Sequence, residues 1–101
     1  VAGRTDIEYY FDPVTGQPHI YNHGVAEWEV EDILVTRIFD FPSRQGSRVA
    51  LGQTSGGRYL KVIYTTSLAH ERIFVITAYE LRGKERKAFR RLRRRRLGKK
   101  K

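Results

Sequence analysis

The chain has 101 residues, no cysteine and no methionine. That length suits one domain with a single modest core, and the missing thiols exclude disulfides and thiolate metal sites. The net charge is +9, yet residues 1–81 hold seven Lys and Arg against ten Asp and Glu, while residues 82–101 hold thirteen against one; so uneven a chain favours a nucleic-acid or acidic-protein partner over an arm that only solubilises it.

The first element is "DIEYYFD". Ile7, Tyr9 and Phe11 alternate with Glu8, Tyr10 and Asp12, the period of a strand with one buried face. Pro13, Gly16 and Pro18 then mark a turn. Pro18 suits the start of a helical turn and Gly24 its end, so "PHIYNHG" reads as a very short helix. A longer helix follows in "VAEWEVEDIL", where Ala26, Val30, Ile33, Leu34 and Arg37 share one stripe. Glu27, Glu29, Glu31 and Asp32 are read as its solvated face, placed early where the helix dipole favours them. "FDFPSRQGS" reads as a loop around Pro42 and Gly46.

Three strands come next: Ser47 to Thr54, Arg58 to Thr66 and Arg72 to Glu80. "SGG" forms the first link and "SLAHE" a wider second one. Short links between successive strands predict an antiparallel meander. In the third strand Ile73, Val75, Thr77 and Tyr79 are expected opposite Phe74, Ile76 and Ala78. A basic helix is expected over roughly Lys84 to Leu97, docking through Ala88, Phe89 and Leu92. The domain is counted as residues 1–92, and residues 93–101 as a basic tail expected to be disordered. The predicted fold class is α+β: a small antiparallel sheet of about four strands, N-terminal helices and a basic C-terminal helix, with the helices on one side.

No apolar run approaches the roughly 18 residues of a membrane span, so no membrane partner is expected. The composition is compatible with a cytoplasmic location. Val1 shows no secretory leader and is not expected to be the native start.

His19 and His23 stand four residues apart, but a catalytic zinc needs a third ligand, and His70 lies in a distant loop. No metal and no cofactor are expected, and His19 is read as a packing or capping residue. His23 has more suggestive company. Arg48, Arg58, Thr54 and Ser55 lie on or beside adjacent strands. Guanidinium groups grip phosphate oxygens, and an imidazole moves a proton at neutral pH. Surface arginines and a hydrogen-bonded histidine are the plainer reading of the same residues. In the basic helix Arg82, Lys84, Arg86, Arg90, Arg91, Arg93 and Arg94 are candidates for phosphate neutralisation. Exposed tyrosines, Tyr10, Tyr21 and Tyr59 among them, are candidate stacking platforms for unpaired bases.

The segments "NHGV", "EWEVEDIL", "RVALGQTSGGRYLKVIYT" and "RIFVITAYELRGKERKAF" resemble, in order, those of the BrnT-like toxins of bacterial toxin–antitoxin pairs. The resemblance covers about residues 7 to 90 and implies a RelE/ParE-like fold, with metal-independent endoribonuclease activity on RNA and a cognate antitoxin as partner. Carried over by position, it implies catalytic roles for His23, Arg48 and Arg58. Asn22 stands where that family has lysine, Ala26 where it has serine, and Tyr79 where it has arginine, so Tyr79 is included in the implied phosphate site. The alternatives are a non-catalytic nucleic-acid-binding or regulatory module using the basic helix, and a subunit docking an acidic partner by the same helix.

Overall fold

The structure is a computed structural model, and it describes residues 6–67 and 72–98, with side chains to Arg96. The linker residues 68–71, His70 among them, and the final lysines 99–101 lie outside the described residues.

Strand β1 (Asp6–Tyr9) leads through a 3-10 turn (His19–His23) to helix α1 (Glu27–Thr36). Strands β2 (Phe39–Pro42), β3 (Arg48–Gln53), β4 (Tyr59–Ser67) and β5 (Arg72–Glu80) follow, and helix α2 (Gly83–Gly98) ends the described chain. The five strands form one sheet in the order β1-β5-β4-β3-β2. The β3-β4-β5 meander is antiparallel, as its short links predict. Two features correct the expected four-stranded antiparallel sheet. β1 runs parallel to β5, and the segment expected as loop supplies β2, paired antiparallel with β3. β2 is only four residues long and ends in Pro42, which an edge strand tolerates because no outer neighbour needs its N–H.

The helices lie on both faces of the sheet, not one. One face carries Ala50, Leu60, Val62, Tyr64, Ile73, Val75 and Ala78, packed under Ile20, Val25, Val30, Ile33 and Leu34 of the 3-10 turn and α1. Gly52 belongs here because α1 presses close. A Cβ at that position would meet Ile33 Cδ1 at 3.2 Å. The other face receives α2. Phe89, 1% exposed, sits edge-on against Phe39 of β2 and Tyr59 of β4, with ring centroids 5.6 and 5.5 Å apart. Both faces of β3 are thus covered, and both Val49 and Ala50 are buried.

The termini of α1 follow local chemistry. Ala26 offers no side-chain cap, but the Glu29 carboxylate accepts the Ala26 N–H at 3.0 Å, supplying half of a capping box. At the other end Arg37 adopts a left-handed conformation, φ 38°, and its N–H bonds the Ile33 carbonyl. Glycine is the usual choice there. Arg37 has its own compensation, an Nε bond to the Leu34 carbonyl and a guanidinium stacked over the Tyr64 ring. The expected short helix exists as a single 3-10 turn closed by Gly24 at φ 69°.

β5 breaks the expected alternation. Its pairing with β4 shifts between Ile63 and Tyr64, so Tyr64 faces Val75 while Ile63 faces Thr77. One extra residue on β5 reverses the parity beyond it. Ala78 therefore joins Ile73 and Val75 in the core, while Thr77 and Tyr79 turn to the α2 face. β1 also ends earlier than its alternation suggests. Ile7 and Tyr9 pack on the core, whereas Phe11 is exposed and forms an isolated bridge with Pro18. α2 runs without a break to Gly98, past the division placed at residue 92. Arg93–Arg96 are helical, within the helix expected over Lys84 to Leu97.

Phe89 is the buried anchor of α2. Phe89→Ala is expected to cost about 3–5 kcal/mol, read as a lower urea midpoint together with loss of helical circular dichroism.

Candidate functional site

Arg58 opens β4 immediately after the hairpin turn. That turn is set by Gly57 at φ 97°, the Gly57 N–H to Thr54 carbonyl bond, and the Arg58 N–H to Thr54 Oγ1 bond. The guanidinium is engaged through both of its Nη atoms. Its Nη1 donates to both oxygens of Glu29, at 2.8 and 3.0 Å, and to the Gly24 carbonyl at 3.0 Å. Its Nη2 lies 3.5 Å from Glu80. Glu29, expected on a solvated helix face, is instead only 5% exposed and serves as the buried partner of Arg58. Asp32 also leaves that face. It accepts the N–H and hydroxyl of Ser55, and these two bonds lower its pKa.

Arg48 opens β3 at the opposite end of the same hairpin. It pairs with Tyr64, whereas Arg58 pairs across from Thr54. Six residues of extended chain separate the two, about 20 Å. Arg48 Nε donates to Asp40 at 2.8 Å, a bond that raises the Arg48 pKa. Arg37 approaches the same carboxylate at 3.4 Å, and the Tyr64 hydroxyl also donates to it. Burial, followed by the Asp40 bond, raises the Tyr64 pKa. Arg48 and Arg58 share a sheet face but grip separate acidic partners, too far apart for one phosphate.

His23 and Tyr79 do come together. β1 accompanies β5 only as far as Val75, and beyond that point the 3-10 turn lies along β5. The His23 and Tyr79 rings meet edge-on with centroids 5.8 Å apart. Arg58 touches this junction through the Gly24 carbonyl. The structure adds a residue that sequence reasoning missed. Lys61 pairs with Tyr79 across the ladder and sets its Nζ 5.4 Å from that ring. The signal was hidden because strict alternation places Tyr79 on the core side, and only the β5 irregularity turns it towards Lys61.

The row of rings extends beyond His23. His19 lies 5.3 Å from His23, and Tyr10 lies 6.0 Å from His19. The Asp12 carboxylate fixes this corner, lying 3.2 Å from His19 Nδ1 and 2.7 Å from the Asn22 amide. Its pKa is lowered, first by the Val14 N–H and then by Asn22. The cap expected of His19 is therefore a side-chain tie to Asp12. No group of three or more metal-ligating side chains occurs among the described residues.

The candidate cations of the basic segment divide by helical position, at 100° per residue. Arg86, Phe89, Leu92, Arg93 and Arg96 fall on the arc facing the sheet. Arg86 lies over Tyr59 at 5.1 Å, Arg93 bonds Gln53 Oε1 at 3.0 Å, and Arg96 bonds the Ile38 carbonyl. Glu85, on the same side, pairs with Lys61 at 3.6 Å. Lys84, Lys87, Arg90, Arg91, Arg94 and Arg95 fall on the outer arc, all exposed and with no acid among them. Arg82 precedes the helix, 83% exposed and 3.7 Å from Glu80. Lys84, Arg90, Arg91 and Arg94 of this stripe are among the cations expected from the sequence; Lys87 and Arg95 were not named, although a helical wheel of the segment places them on the same arc.

No helix of the described residues is long and apolar enough to cross a membrane. The chain matches no family model, no curated protein and no solved structure.

Removing the Arg58 guanidinium leaves Glu29 buried without its charge partner. Arg58→Ala is expected to lower stability by about 3 kcal/mol, measured by urea unfolding at neutral pH.

Proposed function

We propose that the protein binds nucleic acid along the outer stripe of α2, with RNA the partner favoured by the family resemblance. One observation carries the reading: six exposed cations on one helical arc, spread over about 16 Å, with no carboxylate among them. Like charges three and four residues apart destabilise a helix, so this stripe works against α2 unless a polyanion neutralises it. Phosphates do so while releasing condensed counterions, which makes binding steeply salt-dependent. The inner cations are already spent on Tyr59, Gln53 and Ile38. A cognate antitoxin presenting an acidic segment would compete for the same stripe. The RelE/BrnT-like assignment of the fold and a cytoplasmic location belong to this proposal. The antiparallel meander and the basic terminal helix docked on it support the fold assignment; the absence of cysteine is compatible with the location.

A test follows from the counterion argument. Replacing Arg90, Arg91 and Arg94 by alanine is expected to weaken RNA binding uniformly across sequences. It should also flatten the plot of log binding constant against log salt by about two to three units, read by fluorescence anisotropy. An unchanged slope would remove the stripe from the interface.

A second reading, the metal-independent ribonuclease toxin, is favoured by the contact of His23 with Tyr79 beside Lys61. In it the RNA 2′-hydroxyl attacks its own phosphorus. His23 takes the hydroxyl proton, the new P–O bond forms to give a cyclic phosphate, and the bond to the 5′ oxygen breaks, that oxygen leaving as a hydroxyl with a proton from solvent water. Lys61 offsets the charge that develops on the phosphate oxygens. Arg58 acts by holding the Gly24 carbonyl and so positioning His23. Arg48 takes no part, because it lies at the other end of the hairpin. His23→Ala is then expected to slow cleavage by about a hundredfold or more, with Arg48→Ala close to wild type, in a gel assay run with a metal chelator. Equal losses in both variants would count against this arrangement.

A further inference from the structure

We infer that the nucleic acid taken by this chain is single-stranded, and that its unpaired bases stack on a track of four rings: Tyr10, His19, His23 and Tyr79. The inference rests on the nucleic-acid reading above and assigns it a strand type and a second contact surface.

The rings follow one another at centroid separations of 6.0, 5.3 and 5.8 Å. Their planes are turned by 60°, 77° and 65°. Rings stacked in parallel would cover one another's faces. Rings set edge to face leave faces open to a further π-system. The core does not claim them either. Tyr10 is 42% exposed, the His19 side chain 31%, His23 is exposed, and Tyr79 is half-buried with Lys61 over its ring. None belongs to the buried cluster.

The track is held in place from behind. The Asp12 carboxylate holds His19 and Asn22. The His19 N–H bonds the Tyr10 carbonyl at 2.8 Å, and left-handed Gly24 closes the turn that carries both histidines. Such preorganisation limits the ordering entropy lost on binding. At its far end the track meets Lys61, over Tyr79 at 5.4 Å, and Lys61 in turn reaches Glu85 in the first turn of α2. The track therefore ends at the sheet-facing side of α2, and the opposite arc of the same helix carries the cations for phosphates; ring faces combined with cations are the pairing of features that sequence-tolerant single-strand binders use. A duplex cannot use the rings, because its base faces are already stacked on one another. It can still meet the cations of α2.

The test uses the full chain and fluorescence anisotropy with labelled probes. The probes are a 12-nucleotide single strand without self-complementarity, as RNA and as DNA, and a blunt RNA duplex of the same length. Tyr10→Ala, alone and with Tyr79→Ala, is expected to weaken single-strand binding by about tenfold per ring and to leave duplex binding and the salt slope unchanged. Tyr79→Phe, which keeps the ring, is expected to bind the single strand as wild type does, and circular dichroism verifies the fold of each variant. Single-strand binding that survives both alanine changes, in a chain that still loses it with Arg90, Arg91 and Arg94, overturns the track and leaves the stripe standing. Failure of the wild-type chain to bind either probe at low salt overturns both.

Discussion

The guanidinium of Arg58 ties together the elements on which every other feature of this molecule depends. It leaves the start of β4 and reaches the Glu29 carboxylate of α1, the Gly24 carbonyl behind His23, and Glu80 at the end of β5. Glu29 in turn takes the Ala26 N–H and so starts α1 where no side chain caps it. One charged group thus sets the distance between the 3-10 turn and the sheet. That distance decides whether His23 can meet Tyr79. The arrangement also explains why Arg58 is poorly suited to holding a phosphate. A guanidinium flanked by two carboxylates offers an anion little net attraction, and displacing Glu29 would leave a buried charge unpaired.

The two faces of the sheet divide the work. α1 and the 3-10 turn cover one face and build the apolar core, and the pair of buried Glu29 with half-buried Arg58 closes that side. α2 covers the other through Phe89, edge-on to Phe39 and Tyr59. The guanidinium groups of Arg86, Arg93 and Arg96 extend that contact, meeting the Tyr59 ring, Gln53, and the Phe39 ring with the Ile38 carbonyl. The helix is therefore attached by its inner arc alone, which frees the opposite arc to carry charge that a packed helix would not tolerate.

Much of this was legible in the sequence, for identifiable reasons. The meander could be read because Leu60, Val62 and Tyr64 alternate with Tyr59, Lys61 and Ile63 in a β-rich run and short links join the strands. Gly24 and Gly57 announced their turns through the positive φ that each adopts. α1 showed its buried stripe. What escaped was everything that local pattern does not encode. β2 is four residues ending in proline, too short to show a period. The parallel pairing of β1 with β5 is a long-range choice. The extra residue in β5 leaves no compositional mark, yet it moves Tyr79 to the other face and Ala78 into the core. For the candidate site, the run of cations in the last helix was plain in the sequence, but its division into an inner and an outer arc was not drawn from it. The pairing of Glu29 with Arg58, and the separation of Arg48 from it, needed the register of the hairpin.

The parallel pairing at the sheet edge bears on the order in which this protein is made. Ile7 finds its partner in Ile73, so the strand that leaves the ribosome early must wait for nearly the whole domain before it can dock. The meander and α1 can assemble from nearby contacts, while β1 closes the longest strand-to-strand loop among the described residues and meets the entropic cost of that closure. Its placement is therefore a late event in the nascent chain. The Tyr10 and His19 corner, which hangs from the end of β1, takes shape only once synthesis has passed β5.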